Sequence, residues 1–145
     1  MRIISGTRRG QKLIEFDGMS IRPTTDRVRE SIFNLIQGYI YGSRVLDLFG
    51  GSGALSFESL SRGAEAAVLV DIDPKSIKII NENKEKLRFV DEARVINKSA
   101  EDYLKSTNEK FDIIFLDPPY NKDFIKPIIE SIIENDILAE DGIIV

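Results

Sequence analysis

A chain of 145 residues sets one compact domain as the default, since domains usually run ~100–200 residues. Its 42% apolar content suffices for a core, its 30% charged residues argue against a membrane span, and no window approaches the ~18 apolar residues that a span requires. Cys, His and Trp are absent, which excludes disulfides, iron–sulfur clusters, thiol nucleophiles, the usual zinc sites and any His general base. The net charge of −4 is unevenly placed. Residues 1–30 hold seven basic and four acidic side chains (+3), leaving −7 on the rest. A basic end on an acidic body suggests a polyanion that touches one end only, although ordinary surface arginine would look the same.

In chain order, residues 1–21 read as a β-hairpin. Its arms are Arg2–Ser5 and Lys12–Phe16, joined through Gly6 and Gly10, with Asp17-Gly18 as a following turn. Thr25 or Asp26 can cap a helix running to about Gln37, with Val28, Ile32, Leu35 and Ile36 on its apolar face and Gly38 as its stop. The pattern then alternates. Arg44–Phe49 is a strand and Ala54–Ser61 a helix closed by Gly63. Ala66–Val70 is a strand, followed by a helix from Pro74 to about Phe89. Ala93–Ile96 is a third strand, with a short helix around Glu101–Lys105. Phe111–Leu116 is a fourth strand, and a helix carries Ile125, Ile128, Ile129, Ile132 and Ile133. Gly142–Val145 begins a fifth strand. Short apolar strands separated by helices predict a mostly parallel sheet covered on both faces. Such sheets bind ligands beyond the carboxyl ends of their strands.

The residues after each strand are therefore the candidate site. Asp47-Leu48-Phe49-Gly50-Gly51-Ser52-Gly53 follows the first strand. Its glycines permit either a plain tight turn or close approach of a ligand to the main chain at a helix start. Its spacing matches neither the dinucleotide fingerprint nor a P-loop. Asp71 after the second strand is placed to accept hydrogen bonds from ribose hydroxyls, while Asp73 caps the next helix. Ser99 and Ala100 after the third strand border either an adenine edge or a helix cap. Asp117-Pro118-Pro119-Tyr120 follows the fourth. The Asp117 carboxylate and the Pro118 carbonyl can accept both hydrogens of a planar –NH₂ group. The prolines stiffen the backbone, and Tyr120 offers a face on which a base can stack.

These motifs resemble those of amino-methyltransferases that use S-adenosylmethionine. Arg22-Pro23-Thr24-Thr25-Asp26-Arg27-Val28-Arg29-Glu30-Ser31 and the opening Arg2-Ile3-Ile4-Ser5-Gly6-Thr7-Arg8-Arg9 narrow the likeness. Over essentially the whole chain the sequence resembles the RsmD-type family of 16S ribosomal RNA (guanine-N2) methyltransferases. The resemblance implies a Rossmann-like α/β methyltransferase fold over residues 22–145, with residues 1–21 as an RNA-contacting extension. It implies catalysis at Asp117, Pro118, Pro119 and Tyr120. Cofactor contacts would come from Asp47, Phe49, Gly51, Gly53, Asp71, Ser99 and Ala100, and phosphate contacts from Arg8, Arg9, Arg22, Arg27 and Arg29. The implied partner is 16S ribosomal RNA or a small-subunit assembly particle in the cytoplasm, with no metal and no membrane. Family members carry two further strands, so the chain is expected to be shortened at its C-terminus. Two other readings compete: a DNA adenine-N6 methyltransferase, and an RNA module that binds the cofactor without transferring its methyl.

Overall fold

The structure is a computed structural model that describes residues 1–16, 26–118, 123 and 125–145. Ten elements follow in order: α1 (Asp26–Ile40), β1 (Arg44–Asp47), α2 (Ala54–Ser61), β2 (Ala66–Asp71), α3 (Pro74–Lys86), β3 (Ala93–Asn97), α4 (Ala100–Ser106), β4 (Phe111–Phe115), α5 (Ile125–Glu134) and β5 (Leu138–Ile144). The strands form one parallel sheet in the order β3-β2-β1-β4-β5. Alternate strand residues point to opposite faces. Val45, Ala67 and Leu69 join α1, α2 and α3 in one core, while Leu46, Val68 and Val70 join α4 and α5 in the other. Both faces are thus covered, as the unbroken apolar strands predict.

Five local expectations need correction. The apolar face of α1 is rotated from the expected one: Ile36 is buried and Ile32 packs against the core as expected, but Val28 and Leu35 do not. Arg29, Phe33, Ile36 and Ile40 are buried, whereas Val28 and Leu35 are 49% and 84% exposed. Two adjacent stripes of this helix are hydrophobic enough to face inward. Packing of Phe33 on Phe115, with ring centroids 6.1 Å apart, and an ion pair from Arg29 decide between them. The helix also passes through Gly38 to Ile40, and Gly42, with φ 74°, makes the turn instead.

The amino-terminal arms do lie antiparallel, but only as a single bridge between Arg2 and Lys12. Three main-chain bonds flank it, from Ile3 N to Gln11 O (2.9 Å), Gly10 N to Ile3 O (2.8 Å) and Leu13 N to Met1 O (2.9 Å). A longer ladder does not form because the N–H groups of Ile4 and Ser5 donate to the Glu58 carboxylate on α2 at 2.9 and 3.1 Å. Gly6 is required where the segment crosses α2, since a Cβ there would lie 1.9 Å from the Ser61 carbonyl oxygen. The remainder of the expected hairpin lies outside the described residues.

α3 stops at Lys86, short of Phe89. Arg88 takes φ 60°, and the Arg8 guanidinium donates to the Leu87 and Arg88 carbonyls at 2.7 and 3.4 Å. β5 begins earlier than Gly142. Leu138 pairs with Phe111, and Ile143 and Ile144 pair with Ile113 and Ile114. The register shifts between Phe111 and Ile113, so the strand carries an irregularity ahead of Gly142.

Candidate active site at the switch point of the sheet

β1 pairs with β2 on one side and β4 on the other, and the helices leaving β1 and β4 cover opposite faces. The chain direction around the sheet reverses there, and this switch point is where sheets of this kind bind ligands. The carboxyl ends of β1, β2 and β4 deliver the predicted residues to it.

The turn after β1 is held by its own backbone. Gly50 N donates to Val70 O at 3.0 Å and Gly53 N to Gly50 O at 2.8 Å. Gly53 adopts φ 87°, and a Cβ there would lie 2.4 Å from the Phe57 ring, so glycine is obligatory. Gly51 has φ 60° and open space where a Cβ would be. That space is what a ligand lying on the main chain requires.

Asp71 is oriented by two main-chain donors. Gly51 N reaches its Oδ2 and Asp73 N its Oδ1, both at 2.9 Å. Each oxygen keeps a second lone pair for another donor. Asp73 caps α3 as expected, accepting from Lys75 N at 2.9 Å.

Asp47 is only 2% exposed and accepts from the Ser56 hydroxyl at 2.9 Å. Burial pushes its carboxyl up to about 7, against lowering by Ser56 and the Phe49 backbone, with the charges of Asp71 and Asp117 raising it further. Three carboxylates therefore share one electrostatic environment. Asp47 is level with Phe115 in the β1–β4 register, and Asp117 follows two residues beyond the paired part of β4. Phe49 is partly buried against the α4–α5 core, and Asp117 and Pro118 are partly exposed. Pro119 and Tyr120 lie outside the described residues. Among the described residues no three His, Cys, Asp or Glu side chains are grouped to hold a metal ion.

The third strand end is used for structure. The Ser99 hydroxyl accepts from Asp102 N at 3.1 Å and caps α4, Ala100 is buried, and the Asn97 amide donates to the Asp71 and Ile72 carbonyls at 3.0 and 3.1 Å. Asn97 thereby ties β3 to the end of β2 through partners 26 and 25 residues away.

The arginines separate. Arg29 is 0% exposed and bonds to Glu58 (3.2 Å), Asp26 (2.7 Å) and the Arg2 carbonyl. It is a structural clamp between α1, α2 and the amino-terminal segment, not a phosphate contact. Arg8 clasps the carboxyl end of α3 and stacks 4.3 Å over the Phe89 ring. That contact lies at the amino-terminal edge of the sheet, away from the switch point. Arg9 and Arg27 are exposed. Arg22, like Thr24 and Thr25, lies outside the described residues. Among the described residues no helix is long and apolar enough to cross a membrane.

Solved structures carry the same architecture. The Escherichia coli protein yhhF matches with a TM-score of 0.90 and 37% identity, over 99% of this chain and 78% of that one. A Podospora anserina methyltransferase, PaMTH1, solved with S-adenosylhomocysteine bound, matches with a TM-score of 0.72 and 25% identity over 83% of this chain and 52% of its own. The fold is that of a Rossmann-like methyltransferase.

The particular family follows from sequence. The model described as conserved hypothetical protein 95 matches residues 1–145. YlbH of Bacillus subtilis is 45% identical over all of this chain and 80% of its own length. Ribosomal RNA small subunit methyltransferase D of Haemophilus influenzae is 39% identical over 99% of this chain and 76% of its own. The chain belongs to the RsmD-type ribosomal RNA methyltransferase family.

Proposed function

We propose that this protein transfers a methyl group from S-adenosylmethionine to the exocyclic N2 amine of a guanine in 16S ribosomal RNA, free or within a small-subunit assembly particle in the bacterial cytoplasm. The observation that carries the reading is the convergence of the glycine turn, Asp71 and Asp117 at one switch point of the sheet. The donor set fits the cofactor. Gly51 leaves the main chain bare for the methionine portion and Gly53 lets the turn close over Phe57, with Asp47 beneath the turn and Phe49 beside it. The free lone pairs of Asp71 suit the two ribose hydroxyls, and Ser99 and Ala100 would border the adenine.

When bound, the cofactor supplies an electrophilic methyl on a sulfonium. The chain supplies alignment and acceptors. The guanine amine is a poor nucleophile because its lone pair is delocalised into the ring. Accepting its two hydrogens at the Asp117 carboxylate and the Pro118 carbonyl favours a pyramidal nitrogen whose lone pair is withdrawn from the ring and points at the methyl. It also stabilises the positive charge that develops on nitrogen. Asp117 or water would take the proton that the methylated nitrogen loses, so no His is needed. Holding nitrogen, methyl and sulfur in line supplies much of the acceleration. Tyr120 would hold the base by stacking, with Pro119 stiffening the loop. Arg9, Arg22 and Arg27 are the proposed phosphate contacts, and residues 1–21 the RNA-facing extension.

The test is methyl transfer from labelled S-adenosylmethionine to 16S ribosomal RNA, to 30S particles and to adenine-containing DNA, with the product nucleoside identified by mass spectrometry. N2-methylguanosine is expected from the ribosomal substrates alone. N6-methyladenine in the DNA would overturn the reading.

A further inference from the structure

Asn83 belongs to no motif visible along the chain, yet its side chain joins two segments that flank the candidate site. It lies on the third turn of α3 and is fully buried. Its Oδ1 accepts from Ile14 N at 2.6 Å, and its Nδ2 donates to Ile14 O at 3.0 Å and to Ser52 O at 2.9 Å. Ser52 stands inside the turn after β1, between Gly51 and Gly53. Ile14 lies on the second amino-terminal arm, three residues before position 17, where the run leading to the Arg-Pro-Thr-Thr block begins.

The chemistry of the side chain fits this junction closely. An amide has one acceptor and two donor hydrogens in a plane, and the three partners use all of them. One turn earlier Ile80 closes on the same turn, with its Cδ1 2.9 Å from where a Gly50 Cβ would be. α3 therefore presents two successive side chains to the glycine turn, and the second of them also grips the amino-terminal arm. Loss of the amide would leave Ser52 O and both Ile14 groups without their partner in a part-buried place, so a rearrangement of one segment or both must follow.

We propose that Asn83 is a positioning residue that couples the cofactor side of the site to its RNA side. It holds the turn and the second amino-terminal arm in one frame, so that a ligand fixing the position of either one favours the position of the other that binds its own ligand. By linkage the effect is reciprocal: RNA tightens cofactor binding by the factor by which cofactor tightens RNA binding. The proposal rests on the function proposed above.

The experiment is calorimetric titration of the full chain with S-adenosylhomocysteine, without and with saturating 16S ribosomal RNA transcript. Wild type is expected to gain about fivefold or more in affinity when RNA is present. Asn83→Ala is expected to lose most of that factor while still binding each ligand. Asn83→Asp keeps the acceptor for Ile14 N and the side-chain shape, and it replaces Asn83→Ala should that variant not fold. Merely structural damage lowers both affinities but leaves their ratio unchanged. A folded variant that retains the full factor overturns the proposal, as does a wild-type chain that methylates 16S ribosomal RNA with no coupling. A wild-type chain that methylates no RNA overturns the proposed function instead.

Discussion

The Gly51 N–H donates to Asp71 Oδ2 at 2.9 Å, tying the turn after β1 to the end of β2. The carboxylate proposed to hold the ribose thus also fixes the main chain proposed to hold the methionine portion. Asp71→Ala should weaken S-adenosylhomocysteine binding about 100-fold, since a charged acceptor contributes ~1.5–3 kcal/mol and the turn loses its tether as well. Asp71→Asn keeps an acceptor for one of the two main-chain donors and should lose less. Calorimetry checks both, and unchanged affinity in Asp71→Ala would remove Asp71 from the cofactor site.

Asp117 should behave oppositely. Its carboxylate is proposed to act on the target amine and not on the cofactor. Asp117→Ala should lower kcat by at least ~10²-fold, the usual scale for removing one aligned transition-state partner, and leave S-adenosylhomocysteine affinity within about twofold. Single-turnover transfer and calorimetry read the two quantities separately. A variant with near-normal turnover would refute the assigned role.

Asp47 predicts a pH dependence of stability. Its carboxyl is raised from 3.8 to about 7, chiefly by burial, so the folded state holds a proton more tightly than the unfolded state. The stabilisation associated with that proton is complete below pH ~4 and is lost as pH rises through ~7. Asp47→Asn stays neutral and accepts from Ser56 in the same way. It should therefore be more stable than wild type at pH 8, by roughly 2–4 kcal/mol given ~1.4 kcal/mol per unit. The difference should vanish near pH 4. Urea unfolding at both pH values measures it, and a difference independent of pH would contradict the burial argument.

The arginines make a paired prediction. Arg29 and Glu58 are both fully buried and 3.2 Å apart, so Arg29→Ala should cost about 3 kcal/mol of stability. It should leave the salt dependence of RNA binding in the folded variant unchanged. Arg9→Ala and Arg27→Ala should do the reverse, each reducing the salt slope by about one ion while barely affecting stability. Fluorescence anisotropy across a salt series and urea unfolding separate the two classes. An altered slope in Arg29→Ala, or an unaltered one in both of the others, would redraw the RNA-facing surface.

Much of this molecule was legible residue by residue. The alternation of apolar strands and helices, the cap at Asp73 and the grouping of Asp47, Asp71 and Asp117 at strand ends depend on local geometry and on the rule that parallel strands end at one edge. Those signals lie within a few residues of one another, so the chain states them directly. The working face of α1, the burial of Arg29, the clasp of Arg8 on α3 and the junction at Asn83 were not legible. Each depends on a partner between 29 and 82 residues away, and nothing local distinguishes a surface arginine from one that will meet a buried carboxylate. Two stripes of α1 were apolar enough to face inward, and the packing of Phe33 on Phe115 together with the ion pair to Glu58 chose between them. Sequence alone determined which groups arrive at the switch point, because strand direction does that. Tertiary structure decided which groups hold them in place, because burial and pairing across the chain exist only once the segments have met.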